Sequence, residues 1–78
     1  MKTNRIELNP RVCNGKPVIA GTRIPVSTIV SMVADGEPWG RILEGYPELQ
    51  EVDIKAALHY AASSIEHTEF ADVSVGYY

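Results

Sequence analysis

The apolar positions change rhythm along the chain. From Val26 to Asp35 they fall at Val26, Ile29, Val30 and Val33. That i, i+3, i+4, i+7 spacing predicts a first helix over 26–35 with one buried stripe. Gly36 follows and suits the left-handed residue that closes a helix. Trp39, Ile42 and Leu43 give a short second helix near 38–44, with Pro38 at its start and Gly45 and Pro47 at its end. Ile54, Ala57, Leu58, Ala61 and Ile65 predict a third helix over 51–64. Asp53 stands three residues after Gln50, the spacing of a capping box with a poor cap residue. Glu51 and Asp53 both suit a positive helix start.

Before Val26 the period is two. Ile6 and Leu8 alternate with polar neighbours, and Asn9-Pro10 closes that segment, predicting a strand near 5–8. A second short strand is expected near 17–20, with Pro17 at its start. Asn14-Gly15 signals a tight turn, and Gly21 permits a chain reversal. After the third helix the period is lost. The order predicts a mainly α fold: three helices with a short N-terminal β-hairpin, the grammar of a helix-turn-helix domain. Residues 1–65 form that single domain, and 66–78 a C-terminal tail or short strand.

Composition narrows this picture. A chain of 78 residues, 45% hydrophobic and 22% charged, folds as one small domain. Its small core leaves room for stabilisation by dimerisation or a partner. No apolar run approaches a membrane span, and the first ten residues lack the apolar core of a secretion signal. A single cysteine, Cys13, rules out an internal disulfide framework, so the cytoplasm is the expected location. Net charge is −3, but it is unevenly distributed. Met1 to Val33 holds Lys2, Arg5, Arg11, Lys16 and Arg23 against Glu7 alone. Ala34 to Tyr78 holds nine carboxylates against Arg41 and Lys55. Such a split marks either two different binding faces or a mixed, solvated surface.

The stretch from Gly15 to Val30, GKPVIAGTRIPVSTIV, has the outline of a phosphate loop. A Walker loop needs lysine directly after its second glycine, whereas Gly21 is followed by Thr22 and Arg23. Its glycines are also spaced one residue too far apart. The structural alternative gives Gly15 and Gly21 turn conformations and lets Pro17 and Pro25 fix strand and helix entry. Catalytic chemistry has little to work with. His59 and His67 are eight apart, too far for a helical metal pair, and Cys13 has no adjacent histidine. No cofactor, metal site, enzyme activity or small-molecule substrate is expected.

Nucleic acid is the stronger option. Gly36 and Ile42 have the six-residue offset that seats one helix of a helix-turn-helix on the other. The cations lie mostly outside those helices, so Lys2, Arg5, Arg11, Lys16, Arg23 and Arg41 are the candidates for phosphate contact. Arg23 has an alternative role, an ion pair or cap with a helix acid. An acidic protein needs two copies to collect enough such contacts, so DNA binding implies a homodimer on a palindromic site. The tail offers another face. Phe70, Val73, Val75, Tyr77 and Tyr78 beside Glu66, Glu69 and Asp72 are candidates for binding a partner protein. The bland reading of that tail is a frayed end packing on its own helices.

The runs GKPVIAGTRIPV, ADGEPWGRILEGYPEL and DIKAALHYAA, in that order, resemble the signature of the domain of unknown function 433 family. The resemblance covers about Ile6 to Ala62. It implies the homeodomain-like fold, an antitoxin-like role beside a PIN-like nuclease toxin, and repression of an operon through operator DNA. The alternative is a protein–protein assembly module without a DNA role. Three positions depart from the family pattern: Gln50 for threonine, Pro38 for serine, and Gly40 for an acid. Gly40 costs roughly 1 kcal/mol against alanine inside a helix, which predicts a short or irregular second helix.

Overall fold

The computed structural model describes residues 2, 3 and 5–66, with side chains from Arg5 onward. Three two-residue strands, β1 (Lys2–Thr3), β2 (Ile6–Glu7) and β3 (Val18–Ile19), precede three helices. The helices are α1 (Val26–Ala34), α2 (Trp39–Gly45) and α3 (Glu51–Glu66). The strands form one antiparallel sheet in the order β1-β2-β3. The fold is mainly α, as the periodicity predicts. The first strand, however, carries no apolar alternation. Lys2 and Thr3 become a strand by pairing with Glu7 and Ile6, a tertiary effect invisible in a two-residue window.

Register decides what the sheet contributes to the core. Ile6 pairs with Ile19, and both side chains are buried with Ile24, Val26, Ile29, Ile42, Leu49, Ile54 and Ala57. α1 packs chiefly against α3, with α2 closing one side. The predicted stripes on α1 and α2 hold: Val26, Ile29 and Ile42 are buried, and Val30, Val33, Trp39 and Leu43 pack against them. On α3, Ile54 and Ala57 are buried, but Ile65 is 66% exposed. It sits in the last turn of α3, outside the core cluster.

The α1 terminus forms a full Schellman motif. Gly36 has φ of 86° and donates its N–H to Val33 O at 3.0 Å, while Glu37 N–H donates to Met32 O at 3.0 Å. That left-handed residue turns the chain into α2. Pro38, with φ of −63°, enters α2 without a side-chain cap. Despite Pro38 and Gly40, α2 is a continuous seven-residue helix. Packing of Trp39, Ile42 and Leu43 on the core outweighs the glycine's propensity cost.

The GKPVIAGTRIPV run folds back on itself. Ile19 N–H donates to Ile24 O at 3.0 Å and Val26 N–H to Pro17 O at 2.9 Å, with a bridge between Val18 and Pro25. The reversal is a turn from Ile19 to Thr22 with Gly21 at φ 82°. Thr22 Oγ1 donates to Ile19 O at 2.8 Å and accepts Ile24 N–H at 3.0 Å. The backbone N–H groups of Thr22, Ile24 and Val26 therefore already have partners within the chain. A phosphate cradle needs such donors pointing outward, so the stretch is the scaffold that delivers the chain into α1.

Candidate functional site

Two regions carry the candidate side chains. The first is a pair of loops beside the sheet. Between β2 and β3, Asn9 Oδ1 accepts Arg11 N–H at 2.9 Å, and Cys13, Asn14 and Gly15 follow with positive φ of 51°, 57° and 83°. Gly15 N–H donates to Val12 O at 3.0 Å and Lys16 N–H to Cys13 O at 3.1 Å, giving two overlapping left-handed turns. The Asn14-Gly15 signal anticipates the second turn, but Cys13 in that conformation has no sequence signature. Cys13 Sγ–H donates to Arg23 O at 3.4 Å, which brings this loop against the Gly21–Arg23 turn.

Arg11, Lys16 and Arg23 thus ride on two adjoining loops, and all three are exposed. None has a carboxylate within ion-pair distance among the described residues. Arg23 therefore does not make the helix ion pair that was one of its two expected roles. Arg41 is exposed on α2, away from these loops in sequence. Lys2 lies in β1, where only the backbone is described.

Arg5 is different. Its Nε–H donates to Asp53 Oδ1 in an ion pair linking the turn before β2 to the first turn of α3. Asp53 is 2% exposed, and its Oδ2 accepts Gln50 N–H at 2.8 Å. Half of the expected capping box is therefore present, and its acid is locked by an arginine 48 residues away in sequence. Of the six phosphate-contact candidates, Arg5 is the one with a structural partner among the described residues.

The second region is a groove of about 630 Å³ between the sheet and α3. Val52, Ala56, Tyr60 and Ser63 line it from α3, together with Lys55 and His59, and Arg5 and Ile6 close the opposite wall. Val52 is 45% exposed. These positions recur at three- and four-residue steps, and Ala56 and Tyr60 also pack against the core, so the groove is the exposed margin of the α3 apolar face. Sequence reasoning missed it because the alanine-rich helix admits a stripe in more than one direction. The partner-binding candidates Phe70, Val73, Val75, Tyr77 and Tyr78 lie outside the described residues, as does His67. Among the described residues, no three of His, Cys, Asp and Glu are grouped to hold a metal ion. No described helix is long and apolar enough to cross a membrane.

The model of the family described as "Protein of unknown function (DUF433)" matches residues 6–61. An uncharacterized protein of Sinorhizobium fredii, y4eO, is 38% identical over 56 residues, covering 72% of this chain and 25% of that protein. The chain thus spans about a quarter of that relative's length. The crystal structure of a DUF433 member from Anabaena variabilis superposes with a TM-score of 0.75 at 41% identity. That similarity covers 81% of this chain and 62% of the other. The family match takes in β2, β3 and all of α1 and α2, and reaches the fourth turn of α3. With the family pattern covering β2, β3, α1, α2 and most of α3, the chain belongs to the DUF433 family.

Proposed function

We propose that the protein is a small antitoxin-like regulator that binds a partner protein of the PIN-like toxin class and, as a dimer, operator DNA. The toxin class rests on the family resemblance. The DNA reading rests on one structural observation: Arg11, Lys16 and Arg23 stand exposed on two adjoining loops, without a carboxylate partner among the described residues. Cations left unpaired and grouped beside rigid turns suit phosphate oxygens, which position a protein on a duplex. Three such cations per chain are few, and a two-fold dimer doubles them. Binding of the purified protein to a duplex from upstream of its own gene, with mass measured by light scattering, tests both halves. Complexes of two chains per duplex support the reading. A monomer that ignores the duplex at low salt removes it.

The α3 groove favours a second reading, a protein-interaction module with no DNA role. In that case a stable hetero-complex forms and is indifferent to DNA.

A further inference from the structure

The groove along α3 has a composition unlike the rest of the surface. The protein carries net charge −3, yet every ionisable side chain lining the groove other than the Tyr60 phenol is basic: Arg5, Lys55 and His59. Its apolar lining comes from Ile6, Val52, Ala56 and Tyr60. DNA does not suit that lining, because a phosphate backbone gains nothing from aliphatic contact. A small anion does not suit it either, since it would leave the apolar lining uncovered.

From the geometry we infer that this groove docks an extended segment of a partner protein, with large apolar side chains at alternate positions and carboxylates between them. The inference rests on the partner-binding half of the proposed function. Val52 to Ser63 spans about 16 Å of helix at a rise of 1.5 Å per residue. An extended chain covers that length in about five residues. Every second side chain of such a segment faces the trough, which matches two or three apolar anchors on Val52, Ala56 and Tyr60. The intervening carboxylates meet Lys55, His59 and the exposed portion of Arg5. Arg5 keeps its Nε–H on Asp53, so its remaining guanidinium donors stay available and its position is fixed. A basic groove edge in an acidic protein also repels wrong partners and steers acidic ones.

The test uses the full chain and two fluorescein-labelled octapeptides read by fluorescence anisotropy. One alternates glutamate with phenylalanine and valine, and the other has lysine in place of each glutamate. The glutamate peptide is expected to bind, and the lysine peptide at least about tenfold more weakly. Val52→Asp and Lys55→Glu are both surface changes, so they preserve the thermal unfolding midpoint and each weaken the glutamate peptide by about fivefold or more. Equal binding of the two peptides, no binding, or variants that bind like the parent chain would overturn the proposal. A dimer that Val52→Asp dissociates would assign the groove to a second copy and overturn it as well. Neither variant touches Arg11, Lys16 or Arg23, so duplex binding measured on the same samples reports separately on the DNA reading.

Discussion

Asp53 ties the two ends of the fold together: Arg5 donates to one of its oxygens and the Gln50 backbone to the other. The carboxylate is buried, so it cannot trade these partners for water. Asp53→Ala is expected to cost about 2 kcal/mol, combining a lost cap with an orphaned arginine. Arg5→Ala should cost about 1 kcal/mol, because its side chain is 45% exposed and solvent screens the pair. Asp53→Asn keeps an acceptor for Gln50 and should resemble Arg5→Ala. Urea denaturation of the three variants checks the order. If Asp53→Asn proves as damaging as Asp53→Ala, the ion pair rather than the cap dominates.

Two glycines should respond in opposite directions to alanine. Gly36 has φ of 86°, a conformation that strains any side chain even though nothing lies within 4 Å of an added Cβ. Gly36→Ala should destabilise by about 1 kcal/mol. Gly40 lies inside α2 with equal space around it. Gly40→Ala should stabilise by up to about 1 kcal/mol. Thermal melts separate the two by several degrees in a domain this small.

Along α3, position decides the value of an isoleucine. Ile54 is fully buried and Ile65 is largely exposed. Ile54→Ala is expected to cost about 3 kcal/mol and Ile65→Ala less than about 0.5 kcal/mol. Equal losses measured by denaturant unfolding would mean that α3 is packed along its whole length.

The helices are legible in the sequence because each is amphipathic over two or more turns and bounded by Gly36, Pro38, Gly45 or Pro47. Their expected bounds fall within two residues of those observed. The Arg5–Asp53 pair is not legible. Local spacing shows Asp53 as a capping acid, but its arginine comes from the other end of the chain, and nothing in sequence marks Arg5 rather than Arg23 as the partner. The α3 groove is hidden for a related reason. Val52, Ala56 and Tyr60 become a surface only when the sheet supplies the opposite wall through Arg5 and Ile6. The pair of basic loops is half visible: the cations are in view, but their adjacency depends on Cys13 reaching Arg23.

Charge reversal at Arg23 probes that adjacency. Arg23 makes no side-chain ion pair among the described residues, so Arg23→Glu should leave stability within about 0.5 kcal/mol of the parent chain. Its effect should fall on duplex affinity, weakened by about tenfold at low salt. A circular dichroism melt beside a binding curve separates these outcomes. A large loss of stability would make Arg23 a structural residue.

The most direct test of the regulator reading is a salt series of duplex binding by fluorescence anisotropy, comparing the parent chain with Arg11→Ala/Lys16→Ala. Affinity should fall steeply with salt, and the variant's log–log slope should be shallower by about one unit for each phosphate it no longer neutralises. An unchanged slope, or no binding by the parent chain even at low salt, would contradict the regulator reading and leave the α3 groove as the functional face.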